Sequence, residues 1–154
     1  MGLETKMSKM KIRTTTPADY SDMLRIWESA VKATHDFLKE EDFLFFKEQL
    51  VSNFFPQAET YLLLDDQEQP VAFIGVNGDM LEMLFVDDVM RGKGIGRYLI
   101  SYAVEELKIT KVDVNEQNSE AAGFYEKMGF RVTSRSELDG MGKPYPILHM
   151  ELVK

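Results

Sequence analysis

A glycine-rich loop flanked by cationic residues is the part of this sequence best suited to chemistry. Residues 91–97 read Arg-Gly-Lys-Gly-Ile-Gly-Arg, after an apolar stretch at 80–86 and before an amphipathic run at 98–107. This order predicts a strand, a loop and a helix. Backbone N–H groups and the dipole at a helix N-terminus attract anions, and glycines allow positive φ and close approach of a ligand. The loop therefore predicts a phosphate or pyrophosphate site, to which its arginines and lysine add positive charge.

Two common phosphate motifs do not fit this loop. The dinucleotide motif G-x-G-x-x-G would need glycine at position 97, where the chain has Arg97. The triphosphate motif G-x-x-x-x-G-K-[ST] occurs nowhere in the sequence. The residues alone thus indicate a phosphate group of another kind.

A second segment, 115–130, reads N-E-Q-N-S-E-A-A-G-F-Y-E-K-M-G-F. Together with the R-G-x-G-I-G loop before it, this segment resembles the GNAT-type N-acetyltransferases, which bind the pyrophosphate of acetyl-CoA. Residues 33–38 (Ala-Thr-His-Asp-Phe-Leu) and 142–146 (Gly-Lys-Pro-Tyr-Pro) resemble the bacterial YjaB-type members of that family. The resemblance covers nearly the whole chain, and we expect one domain over 10–154 after a leader or disordered segment at 1–9.

The resemblance implies that acetyl-CoA is the co-substrate. In the family, the strand equivalent to 84–86 bulges, splays from the next strand, pairs with pantetheine and offers an N–H to the acetyl carbonyl. The residues that the resemblance assigns to cofactor binding are Leu84, Phe85, Val86, Arg91, Gly92, Lys93, Gly94, Ile95, Gly96, Arg97, Asn118 and Tyr125.

Two residues of the second segment have specific roles by this resemblance. Tyr125 matches the helix-borne tyrosine that protonates the departing thiolate, although a tyrosine beside Phe124 could equally be an amphipathic core residue. Asn118 is expected to cap the helix that starts at Ser119, and the equivalent family side chain also touches the pantetheine arm.

The general base is less well defined by the sequence. Glu82 lies in the strand before the loop, where some family members carry a catalytic carboxylate, and it is our predicted base. An exposed strand glutamate is the simpler interpretation, Glu116 and His35 are rivals, and a chain of water molecules could replace a dedicated base.

The acceptor is expected to lie on the far side of the thioester. His35, Asp36 and Phe37 follow the first helix, and Tyr145 lies between two prolines in the last loop. The resemblance places these four residues around the acceptor cleft, although capping or packing could also explain them. The expected acceptor is a small amine, a protein lysine or an N-terminal amine, and it carries positive charge in solution.

The composition and net charge of the chain limit which other ligands, partners and locations are expected. The 154-residue chain has a net charge of −8, no cysteine and two histidines. An acidic chain is a poor partner for nucleic acid, and without thiols or clustered histidines we expect no metal site. No apolar run approaches the ~18 residues of a membrane span. We expect a cytoplasmic monomer or homodimer.

Hydrophobic periodicity and turn residues by themselves predict only helices and strands in a mixed sheet, and the order β-α-α-β-β-β-α-β-α-β-β is what the GNAT resemblance implies. Strands are expected at 10–15, 60–64, 71–76, 80–86, 110–115, 130–137 and 147–153. Helices are expected from Pro17, over 40–53 with Pro56 ending the second, over 95–107 and over 119–128. The resemblance implies an α+β (mixed α/β) fold of the GNAT type, whose central mixed, mostly antiparallel sheet has about seven strands and about four flanking helices.

The predicted function is acetyl-CoA-dependent N-acetyl transfer by direct attack of the amine in a ternary complex. Two alternatives remain open at the level of sequence. One is a non-catalytic acyl-CoA-binding or regulatory domain on the same fold, and the other is an acyltransferase that uses a longer acyl group.

Overall fold

The computed structural model describes residues 10–153, so the predicted leader at 1–9 lies outside the described residues. Within this range the strands are β1 (Lys11–Thr14), β2 (Glu59–Leu64), β3 (Pro70–Asn77), β4 (Met80–Val86), β5 (Lys111–Asn115), β6 (Phe130–Ser136) and β7 (Ile147–Leu152). The main helices are α1 (Tyr20–Thr34), α2 (Glu40–Gln49), α3 (Ile95–Glu105) and α4 (Ser119–Lys127). The predicted order of elements is confirmed.

The seven strands form one sheet in the order β1-β2-β3-β4-β5-β7-β6. All neighbours are antiparallel except β4 and β5, which run parallel. This parallel pair is joined only at Met80↔Lys111 and Leu81↔Val112. From Glu82 onward, β4 therefore diverges from β5, and the two strands leave a wedge open in the middle of the sheet.

A β-bulge lies at the point where the wedge opens. In the β3–β4 ladder, Gly75 pairs with Met83 and Val76 pairs with Leu81, so Glu82 is the extra residue. The resemblance predicted a bulge within 84–86, and the structure has it slightly earlier in the same strand. Because a bulge bends its strand and redirects side chains, it turns the end of β4 away from β5.

The two faces of the sheet are covered by different pairs of helices. Helix α3 covers one face, together with α4, through the buried residues Ile95, Leu99, Ile100 and Ala103. Helix α1 covers the other face, together with α2, through Met23, Ile26, Trp27 and Val31. Both sets recur at helical spacing, so burial of one apolar stripe orients each helix. No helix in the described range is long and apolar enough to span a bilayer.

The end of α2 differs from the prediction. The helix was expected to run over 40–53 and to stop at Pro56, but its regular part ends at Gln49. A wider π-type turn follows over Leu50–Phe54, and Pro56 lies inside the short helical turn Phe55–Gln57. Proline is tolerated in a first helical turn because its missing N–H would have no partner there.

Candidate functional site

The glycine-rich loop has the backbone conformation that its sequence predicts. Gly92 has φ 79°, and Gly94 has φ 82° at the N-cap of α3. Both angles lie in the left-handed region, where a residue with a Cβ is strained. Gly96 differs from the expectation, because it lies inside α3 without positive φ. A Cβ built on Gly96 would lie 3.5 Å from Cζ of Phe124, which is ordinary packing contact.

The three cations of the loop divide into two groups. Arg91 is paired with Asp88, at 3.7 Å between Nη1 and Oδ1, and with Glu120 of α4. Lys93 and Arg97 are exposed and have no ion pair within residues 10–153. Arg91 therefore holds the loop beside the N-terminus of α4, and the other two cations are available to an anion.

The turn between β4 and the loop is anchored to α1 through Asp87. This buried carboxylate accepts hydrogen bonds from Arg25 Nη1 at 2.9 Å and from Ser29 Oγ at 3.0 Å. Ser29 Oγ in turn accepts from the backbone N–H of Asp88 at 3.0 Å. These contacts, which the sequence analysis did not identify, fix the direction in which the chain enters the glycine loop.

A cavity of about 200 Å³ occupies the wedge between β4 and β5. Six of the predicted site residues line it: His35, Glu82, Leu84, Phe85, Asn118 and Tyr125. Val86, also predicted, packs instead toward the core that α3 and α4 cover. Asp113, which was not predicted, and Asn115 also contribute polar side chains to the lining. The cavity thus combines a strand edge, a helix N-terminus and several titratable groups.

Tyr125 and Asn118 both present polar atoms to this cavity. Only 8% of the Tyr125 surface is exposed, and burial raises the pKa of its phenol far above the ordinary value. Its hydroxyl has no hydrogen-bond partner within residues 10–153. Every fully buried side-chain polar atom in that range does have a partner, so the Tyr125 hydroxyl is not fully buried and opens onto the cavity. Asn118 also lines the cavity, and it caps α4 through its side-chain oxygen, which accepts from the N–H of Ala121 at 3.1 Å, so its amide NH₂ is not used in the cap.

The four residues predicted for the acceptor cleft lie near one another, but only two of them line a cavity. His35 lines the wedge cavity and also a second cavity of about 420 Å³ between α1 and α2, which Asp36 lines as well. The ring of Phe37 lies 5.2 Å from that of His35 and 6.2 Å from that of Tyr145. Phe37 and Tyr145 line neither cavity; Phe37 packs against His35, and Tyr145 packs against Phe37.

Tyr145 is part of a polar cluster that the sequence analysis missed. Its hydroxyl donates to the carboxylate of Asp42 in α2 and accepts from the N–H of Lys39 at 3.3 Å. Lys143 Nζ lies 2.9 Å from the other oxygen of Asp42. These two partners hold the pKa of Asp42 below its ordinary value, whereas burial and the Asp42 contact raise the pKa of Tyr145. The cluster attaches the β6–β7 loop to α2.

The remaining candidate base, Glu116, is directed elsewhere. Its carboxylate pairs with Arg135, which holds the pKa of Glu116 below the ordinary value, and it does not line the wedge cavity. Glu82 is exposed at the bulge and has no hydrogen bond or ion pair within the part of the chain that the structure describes. In that same part, no group of three or more His, Cys, Asp or Glu residues could hold a metal ion.

Comparison with known proteins agrees with this geometry. Residues 30–152 match the model of the acetyltransferase (GNAT) domain. The chain is 42% identical to the peptidyl-lysine N-acetyltransferase YjaB of Salmonella typhimurium over 141 aligned residues. The alignment covers 92% of this chain and 97% of that protein. The solution structure of apo-form YjaB from Escherichia coli has a TM-score of 0.86 at 38% identity, over 94% of this chain and 97% of that one.

A more distant structure shares the fold. The PaiA N-acetyltransferase of Thermoplasma acidophilum, solved in complex with coenzyme A, has a TM-score of 0.66 at 20% identity and covers 92% of this chain and 98% of that one. The family model spans most of the chain, and the relatives match over nearly their whole length. The chain therefore belongs to the GNAT family and is an N-acetyltransferase.

Proposed function

We propose that this protein transfers the acetyl group of acetyl-CoA to the side-chain amine of lysine in peptides or proteins. The observation that carries the proposal is the wedge between β4 and β5, with a glycine loop following β4 and Tyr125 facing the cavity. Support for the acceptor comes from the YjaB relative, which is a peptidyl-lysine N-acetyltransferase. Support for the co-substrate comes from the family, whose members use acetyl-CoA.

The residues present suit a pyrophosphate joined to an extended arm. The first N–H groups of α3, after Gly94, together with Lys93 and Arg97, would hold the pyrophosphate. The unpaired edge of β4 at Leu84 and Phe85 would hydrogen-bond the pantetheine arm as an added strand does. The free amide of Asn118 would contact the same arm from the opposite side of the wedge.

The chemistry requires one bond to form and one to break. The amine nitrogen attacks the thioester carbonyl carbon, so that a C–N bond forms and the C–S bond breaks. Tyr125 donates its phenolic proton to the departing sulfur, and its raised pKa keeps that proton available throughout the neutral range. The proton that the amine loses goes to a base, for which Glu82 and His35 are the two predicted candidates that line the cavity.

The negative potential of the cavity favours a cationic acceptor. Glu82 and Asp113 line the wedge cavity, and the chain as a whole has a net charge of −8. An ammonium group would be drawn to these carboxylates before it loses its proton. A protein that only bound acyl-CoA would have no need of a phenol with an unpaired hydroxyl at this position.

The proposal is tested by incubating the protein with acetyl-CoA and Nα-blocked peptides that differ only in carrying lysine or arginine at one position. We expect thiol release with the lysine peptide alone, and a mass gain of one acetyl group on its Nζ. Transfer only to a small amine, or only to a free N-terminus, would contradict the lysine assignment. Faster transfer from a longer acyl-CoA would contradict the acetyl assignment, and cell fractionation would test the predicted cytoplasmic location.

A further inference from the structure

The side chain of His35 belongs to the linings of two cavities. It lines the wedge cavity together with Tyr125 and Glu82, and it also lines the larger cavity between α1 and α2. His35 is the residue that the wedge cavity shares with this second, outer cavity, so an acceptor entering from the outer cavity would meet the ring. Resting on the proposed function, we infer that His35 is the general base that removes the proton from the acceptor lysine.

Hydrogen bonds fix which nitrogen of His35 can accept that proton. The hydroxyl of Thr34 donates to the carbonyl oxygen of Ala30, one turn earlier in α1, at 2.8 Å. Its only proton is thereby used, yet Nδ1 of His35 lies 2.8 Å from the same Oγ1 atom. With the hydroxyl proton on the Ala30 carbonyl, we assign the ring hydrogen to Nδ1, which donates to Thr34 Oγ1, and the lone pair of the neutral ring lies on Nε2.

The surroundings keep the ring neutral at physiological pH. Burial lowers the pKa of His35 below its ordinary value, and the neighbouring Asp36 opposes this only in part. Across the wedge cavity the ring faces Glu82, Asp113 and Tyr125, and in the outer cavity it faces Glu28, Lys32, Glu40 and Lys47. The two lysines offset part of the acidic charge there, and Lys32 and Lys47 are both within 3.3 Å of Glu28.

His35 is better held for proton transfer than Glu82. The ring is fixed on one edge by Thr34 and on one face by Phe37, whose centroid lies 5.2 Å away. Glu82 is exposed and has no partner among residues 10–153 that would orient it. In this arrangement Glu82 and Asp113 attract the ammonium group, and Nε2 of His35 takes one proton from it to give the neutral amine that attacks the thioester. The second proton leaves the nitrogen after the C–N bond forms and replaces the proton that Tyr125 gives to sulfur. The imidazolium then returns the proton to water through the outer cavity.

The pH dependence of kcat/KM for a lysine peptide tests this assignment. With a neutral histidine as base and an ammonium as the incoming form, kcat/KM should be level from about pH 7 to about pH 10 and should fall below the His35 pKa, itself under ~6.5. His35→Gln should lower kcat/KM at pH 7 by about 10²-fold or more. Its remaining activity should rise tenfold per pH unit up to the lysine pKa, because only the neutral amine can then react.

Matched variants separate this role from a structural one. His149→Gln changes the only other histidine in the chain, on β7, whose Nδ1 lies 2.7 Å from Oδ1 of Asp113. It should change KM through Asp113 but keep the wild-type fall of kcat/KM at acid pH, which is the acidic limb. Glu82→Gln should raise KM and leave that limb in place. Thr34→Val should lower kcat by releasing Nδ1, and Thr34→Ser should restore it. If the acidic limb persists in His35→Gln and disappears in Glu82→Gln, the assignment is wrong.

A measurement on the wild-type protein covers the case in which His35 variants fail to fold. Long-range ¹H–¹⁵N spectra should show His35 as the Nδ1–H tautomer at neutral pH, with a midpoint of titration below that of a free histidine. An Nε2–H tautomer would overturn the inference. A wild-type protein that transfers no acetyl group to any lysine peptide would instead defeat the proposed function itself.

Discussion

Replacement of Tyr125 by phenylalanine isolates a single hydroxyl group. The aromatic ring would keep its contacts with Phe124 and Phe130, whose centroids lie 5.2 and 5.9 Å away. The hydroxyl has no protein partner in the described range, so its removal leaves no buried polar group unsatisfied. We therefore expect the free energy of unfolding to change by less than about 0.5 kcal/mol, because the substitution neither creates a cavity nor removes a hydrogen bond within the protein.

The catalytic effect of the same substitution should be large. General acid catalysis typically contributes about 10²–10⁴-fold, which corresponds to about 3–5 kcal/mol of transition-state stabilisation. Single-turnover measurement with saturating lysine peptide should show this loss, and calorimetry should show nearly unchanged affinity for acetyl-CoA. Because burial raises the Tyr125 pKa, the wild-type rate should show no decline from Tyr125 ionisation below about pH 10. Full kcat in the variant, with chemistry rate-limiting, would refute the assignment.

Three further predictions concern the loop, the cluster at the last loop and the acceptor. Gly94→Ala places a Cβ at φ 82° and should weaken acetyl-CoA binding in a calorimetric titration, whereas Gly140→Ala, with open space and no positive φ, should bind normally. Asp42→Asn should lower the melting temperature at neutral pH. Since the Asp42 pKa is depressed in the folded state, this stabilisation is present above the ordinary aspartate value and is lost as pH falls through the folded value. The two melting curves should therefore converge in acid, and a constant difference would contradict the ionic role. Peptides with acidic residues beside the lysine should have lower kcat/KM than neutral or basic ones at fixed ionic strength, and a preference for acidic peptides would contradict the proposed cleft potential.

Local patterns in the sequence were sufficient for the elements that carry the site. The loop at 91–97 and the cap at Asn118 depend on residue types that act within one or two turns of chain, so both could be predicted. The strand order could not be derived from periodicity, because periodicity gives elements without their neighbours in the sheet. The resemblance to the GNAT family gave the order of elements along the chain and a mixed, mostly antiparallel sheet, whereas the order of strands within the sheet came from the structure.

Contacts between distant segments were the part that the sequence did not reveal. The bond from Arg25 to Asp87 joins residues 62 positions apart, and that from Tyr145 to Asp42 joins residues 103 positions apart. Nothing in the neighbouring residues marks these partners. The bulge at Glu82 was displaced from its expected place for a similar reason, since it depends on the register with Gly75 of β3. Asp113 lines the cavity only because β5 diverges from β4 beyond Val112.

The central claim is that the wedge between β4 and β5, with the loop at 91–97, binds acetyl-CoA. Calorimetric titration of acetyl-CoA into the folded wild-type protein tests it most directly, since the result depends on no assumption about the acceptor. We predict saturable binding of one acetyl-CoA per chain, with affinity that falls as salt screens the phosphate contacts. A folded protein that shows no detectable binding at millimolar acetyl-CoA would contradict the account.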